Sequence, residues 1–146
     1  MLKDIPEIIS PELMFALMQM GHGDEIVIGD GNFPATACAR RLTRCDGHGV
    51  PALLDGILRF FPLDEYVDCP VSLMAVAPGG HAPAPSIWGE YKNIIHAHGH
   101  DAKRIEYLER FTFYERAKEA FAIVATGESA IYANIILKKG VVQKTK

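Results

Sequence analysis

The stretch from Ser10 to Asp30 reads SPELMFALMQMGHGDEIVIGD, a marked helix running directly into a marked strand. Ser10 is a hydrogen-bonding N-cap, Pro11 suits the first helical position, and Glu12 sits at the positive end of the helix dipole. Leu13, Met14, Leu17 and Met18 then recur at the three-to-four spacing of one apolar helix face. Gly21-His22-Gly23 stops the helix, since glycine after a last turn is an ordinary C-cap. Glu25–Gly29 follows as a short, largely buried strand, ended by Asp30-Gly-Asn-Phe-Pro34.

Outward from this unit the alternation repeats. The spacing predicts a small helix over Ala35–Leu42 and a second clear helix carrying Val50, Leu53, Leu54, Ile57, Leu58 and Phe61. Val71–Val76 reads as a buried strand, Ile87, Trp88, Tyr91, Ile94 and Ile95 as a helix face, and Arg104–Leu108 as a strand. A helix over Phe113–Ala120 leads into strands at Phe121–Ala125 and Ile131–Leu137, separated by the turn Thr126–Ser129. Strands alternating with helices predict an α/β fold, a three-layer sandwich with a central sheet and helices on both faces. The last two strands lie close enough to form a hairpin, so the sheet is expected to be mixed rather than purely parallel. Pro78–Pro85 is punctuated as a surface loop.

The chain has 146 residues, which suits one domain over 1–146 with a core that needs neither metal nor disulfide. It is 49% hydrophobic and 23% charged, which excludes disordered and collagen-like classes. A formal charge of -3 gives no general attraction to nucleic acid or anionic lipid. No apolar run reaches membrane-spanning length, and the N-terminus lacks the pattern of a signal peptide. Cys38, Cys45 and Cys69 are odd in number and match no zinc spacing, which points to free thiols in a reducing cytoplasm.

Three groups of residues have the chemistry of a site. His22 lies between two glycines past a helix end, and Asp30 falls at the carboxyl end of the first strand, where open α/β sheets bind ligands. They read either as a base and a carboxylate brought to one cleft or as a solvated cap and an Asp turn. The segment Tyr107–Arg116 mixes aromatic rings with arginines. Flat apolar faces and forked donors suit a sugar, while the same pattern fits an amphipathic helix with a solvated side. Tyr132 and Asn134, two apart on an expected strand, would face one side and offer a phenol and a carboxamide to hydroxyl groups. His96, His98 and His100 alternate, but they overlap a helix end and have no evident fourth ligand, so no metal is expected. His48 and His81 sit in Gly/Pro-rich loops. Phosphate-loop, G-x-S-x-G and G-x-G-x-x-G motifs are absent.

Taken together, Met20-Gly-His-Gly-Asp-Glu25, Asp30, Phe33-Pro34, Arg110-Phe-Thr-Phe-Tyr-Glu-Arg-Ala117, Thr126-Gly-Glu128 and Tyr132-Ala-Asn-Ile-Ile-Leu-Lys138 resemble the ribose pyranase/fucose mutarotase family, over Leu2 to Val141. The resemblance implies a small cytoplasmic sugar isomerase that opens and recloses a free monosaccharide ring without metal or organic cofactor. It also implies a ring-shaped homo-oligomer, commonly a decamer of two stacked pentamers, with sites near subunit boundaries. It assigns the catalytic histidine to His22 and substrate contacts to Asp30, Arg110, Tyr132, Ala133 and Asn134. The arginine motif sides with the fucose branch, which interconverts α and β anomers of L-fucose. Ala133 matches the ribose branch, which interconverts pyranose and furanose forms, and Gly79–His100 matches neither. Besides ribose pyranase, a non-catalytic sugar-binding or transport-accessory protein stays open as an alternative.

Overall fold

The structure, a computed structural model, describes residues 1–79 and 83–145. Its elements are α1 (Pro11–Gln19), β1 (Glu25–Gly29), α2 (Ala35–Cys38), β2 (Leu42–Cys45), α3 (Val50–Leu58) and β3 (Val71–Met74). They continue with α4 (Ser86–Ala97), β4 (Ile105–Leu108), α5 (Arg110–Glu119), β5 (Ala122–Thr126) and β6 (Ile135–Lys138). The cap expected from sequence is present: the Ser10 hydroxyl accepts from the Leu13 amide at 3.1 Å. His81 and part of the Pro78–Pro85 loop lie outside the described residues.

Six strands form one sheet in the order β2-β5-β1-β6-β3-β4. β2, β5 and β1 run parallel, as do β3 and β4, and β6 lies antiparallel between the two groups. The alternation of strand side chains builds two cores. Ile26, Ile28, Val124, Leu73, Ile135 and Leu137 face α1, α3 and α4, where Leu13, Leu53, Ile57, Tyr91 and Ile95 are buried. Val27, Ile123, Ala125 and Ile136 face the other way, onto Phe33, Ala35, Phe113 and Ala117 of the α2 and α5 layer. The mixed sheet with helices on both faces is therefore the observed architecture.

Local expectations fail at several places, α5 among them, since it opens at Arg110 rather than Phe113. The small helix ends at Cys38 instead of Leu42, and Leu42–Cys45 is an edge strand whose residues alternate exposed and buried. β5 and β6 form no hairpin, because β1 lies between them and pairs with both. β6 begins at Ile135, so Tyr132 and Asn134 sit on the loop before the strand. Tyr132 has φ 55 there, a left-handed backbone that a strand cannot contain.

Candidate active site

The carboxyl end of β1 opens into a cleft of about 360 Å³ lined by Asp30, Asn32, Phe33, Met74, Arg110, Tyr114, Ile131, Tyr132 and Asn134. Register places these residues together. Ile28 of β1 lies opposite Ile135 of β6, so Asp30 and Asn134 leave neighbouring strands side by side. The Asp30 amide donates to Asn134 Oδ1 at 2.7 Å, which leaves the Asn134 NH2 group as a donor for a ligand. Asp30 is buried and accepts from the Asn32 amide at 3.0 Å. Burial raises its pKa above the ordinary carboxylate value, the backbone N–H groups of Asn32, Ala133 and Phe33 oppose that rise, and the Glu128 charge adds to it.

Arg110 opens α5, whose N-terminus is capped by the Glu109 carboxylate accepting from the Phe111 and Thr112 amides. One turn on, Tyr114 lies beneath it. Arg110 Nε donates to the Tyr114 hydroxyl at 3.2 Å, and the guanidinium stands 5.4 Å from the Tyr114 ring centre. The Tyr114 hydroxyl proton remains available to a ligand, and its ring packs on Phe33 at 5.7 Å. Fixed positive charge, a phenol, a carboxyl and a carboxamide thus converge around the apolar walls of Phe33 and Met74, a combination suited to a polyhydroxylated ring with C–H faces.

Tyr132 lines the cleft from a strained position. A left-handed backbone costs a residue with a Cβ about 1–2 kcal/mol, so its surroundings must hold it. Its hydroxyl accepts from the Ala77 amide at 3.3 Å. Glu128 anchors the start of this loop by accepting from the Val50 and Ala130 amides, which also caps α3, where Gly49 offers no side chain.

His22 is elsewhere. It occupies the turn between α1 and β1, which is closed by the Asp24 carboxylate accepting from the Gly21 amide at 2.7 Å and by Gly23 at φ 85. Its Nε2 stands 3.1 Å from Asp64 Oδ1, and its ring is 5.7 Å from that of Tyr66. An ionised carboxylate only accepts, so the shared proton sits on Nε2, and in the neutral ring Nδ1 is left as an acceptor. Asp64 is buried, which raises its pKa, but the Tyr66 amide and the His22 imidazole outweigh this and hold it below the ordinary value. The end of β6 binds both partners: Gly23 N donates to Lys139 O at 2.8 Å, and Asp64 N to Lys138 O at 3.0 Å.

The expectation of one cleft holding His22 and Asp30 is therefore corrected for a single chain. The two lie at opposite ends of β1, whose five residues at ~3.3 Å rise span roughly 17 Å. Asp30, Arg110, Tyr132 and Asn134 do come together, while Ala133 contributes its backbone from a fully buried position. Sequence reading gave Asp64 and Met74 no role, and nothing local distinguishes them. Tyr114 belonged to the aromatic segment, and its one-turn spacing from Arg110 was the available signal. Within that segment Phe113 is core and Arg116 is bound to Glu25 and Glu106. His98 pairs with Asp55 at 2.8 Å, and no set of three metal-ligating side chains occurs among the described residues.

The model of the RbsD / FucU transport protein family matches residues 3–142 of this chain. The chain belongs to that family. Its fold superposes with a TM-score of 0.93 on the fucose mutarotase of Streptococcus pneumoniae, solved in complex with L-fucose, which is 57% identical over 97% of this chain and 100% of that one. The fucose mutarotase of Homo sapiens is 48% identical over 145 residues, covering 96% of this chain and 94% of the relative. RbsD of Bacillus subtilis, solved with D-ribose, is 22% identical with a TM-score of 0.72, a likeness of fold alone.

Proposed function

We propose that this protein interconverts the α and β anomers of L-fucose by acid/base-assisted opening and closing of the sugar ring. The observation that carries the reading is the Asp30–Arg110–Tyr114–Asn134 cleft, in a chain 57% identical to a fucose mutarotase solved with L-fucose. Ring opening removes the proton of the anomeric hydroxyl, places one on the ring oxygen, and breaks the C1–O5 bond to give the open aldehyde. Rotation about C1–C2 and reclosure on the other face, with both proton movements reversed, completes the exchange. Such assistance is worth ~10²–10⁴-fold. Arg110, Tyr132 and Asn134 hold ring hydroxyls. The Asp30 carboxyl and the Tyr114 hydroxyl are the cleft's groups for the anomeric proton.

As an imidazolium, His22 of a second copy of the chain delivers the ring-oxygen proton from Nδ1 and takes it back on reclosure, its Nε2–H staying on Asp64 throughout. Separation along β1 prevents it from serving its own Asp30, whereas its ring is half-exposed and open to a neighbour. Exposed Phe15 and Met18 near the His22 end, and Phe111 and Ile131 at the cleft, are apolar surface suited to such a contact. The assembly is a homo-oligomer, a decamer on the family resemblance, of single-domain chains working in the cytoplasm. No described helix is long and apolar enough to cross a membrane. Exchange between anomeric proton resonances of L-fucose, read by saturation-difference NMR, tests the proposal. Binding without exchange would favour a sugar-binding protein, and faster pyranose–furanose exchange of D-ribose would favour the ribose branch.

A further inference from the structure

The loop that carries Tyr132 and Asn134 is held from behind by α4. Tyr91 is fully buried in the core, and its hydroxyl donates to the Ala133 carbonyl at 2.6 Å. Trp88, one turn earlier on the same helix face, donates its indole N–H to the Tyr132 carbonyl at 2.9 Å. Two successive carbonyls are therefore tied to one helix at the point where the backbone of Tyr132 enters the left-handed region. The opposite edge of the Tyr132–Ala133 peptide faces the site, its N–H supporting the Asp30 carboxyl, and the next side chain, Asn134, accepts from the Asp30 amide on Oδ1. A relaxed loop would move the Tyr132 ring, the Asn134 amide and a donor to Asp30 together. Burial also raises the Tyr91 phenol pKa, so this group acts as a fixed donor.

We propose that Tyr91, with Trp88 beside it, is a positioning residue for the sugar site, its buried hydroxyl fixing the Ala133 carbonyl and so setting the geometry of Tyr132 and Asn134. The inference rests on the fucose reading for its catalytic consequence. Tyr91 touches no substrate. It acts because displacements of about 1 Å in a site are enough to cost on the order of 100-fold in rate.

The test is Tyr91→Phe, which keeps the ring and removes only the donor. Expected are a fall in L-fucose anomer exchange on the order of 10- to 100-fold and faster deuterium uptake in the peptide spanning 130–135. A double-mutant cycle with Tyr132→Phe should be less than additive, because both changes act on one loop. Ser72→Ala, which removes another buried hydroxyl donor on the far side of the sheet, should leave the rate unchanged. Wild-type exchange in Tyr91→Phe, or an equal loss in Ser72→Ala, would overturn the proposal. Should Tyr91→Phe fail to fold, Trp88→Phe at its half-buried position carries the same test. If the wild type itself leaves fucose anomers unexchanged, the fucose reading fails, while deuterium uptake at 130–135 still decides the role of Tyr91.

Discussion

Two impaired variants, His22→Ala and Arg110→Ala, should regenerate activity when their chains are mixed in one assembly. Each parent lacks half of a site. Loss of acid–base assistance alone is worth ~10²–10⁴-fold, so the His22→Ala parent should retain at most about 1% of wild-type exchange. Within one chain the two residues serve opposite ends of β1, roughly 17 Å apart at ~3.3 Å per residue. A general acid must approach to about 2.6–3.2 Å, so no side-chain rotation closes that gap. If each site joins the His22 end of one copy to the Asp30 end of another, random equimolar assembly leaves roughly a quarter of sites with both halves intact. Co-expression under two affinity tags, tandem purification and saturation-difference NMR on L-fucose measure that recovery. Pairing His22→Ala with Asp64→Asn supplies the control, because both changes spoil the same half and no intact site can form. Activity in the first mixture no greater than in its parents would refute the shared site and the placement of His22 in it.

Asp64→Asn should flatten the acid limb of the stability profile. The folded carboxyl titrates below its ordinary 3.8, so its contribution is fully present above that pH and is lost as pH falls through the folded value. Thermal unfolding from pH 6 to pH 2.5 checks this, and a stability difference from wild type that stays constant across the range would contradict it. Arg110→Ala should erode preference for L-fucose over D-ribose along with rate, since a site built around a donor fork loses about 1–3 kcal/mol for each buried partner left unmet. Exchange rates for both sugars in both proteins decide it, and an unchanged ratio would sink the idea. EDTA should leave exchange unaltered, because the chemistry moves only protons. A loss restored by zinc would instead bring His96, His98 and His100 back as ligands.

What the sequence determined by itself lies within a turn or two of the chain. Ser10, Pro11 and the Leu13–Met18 stripe specify α1 because caps and helical periodicity act over three or four residues. Ile26–Ile28 and Ile123–Val124 specify buried strands in the same local way, and alternation of such units yields the layered α/β class. Arg110, Tyr132 and Asn134 stood out as groups suited to hydroxyls and Asp30 as a carboxylate at a strand end, and the family resemblance joined them into one expected site. Tertiary structure alone decided the strand order. Adjacent β5 and β6 looked like a hairpin, but both pair with β1, whose two edges were each free to take a strand. The four alternating residues of Leu42–Cys45 carry too short a pattern to mark an edge strand. Distance in space was equally hidden. Eight positions separate His22 from Asp30, yet the extended strand between them drives them apart, while Asp64, 42 residues away, is brought onto His22 by the end of β6. Propensity and periodicity fix which residues make an element, whereas the ends at which elements meet are set by hydrogen-bond pairing between segments distant along the chain.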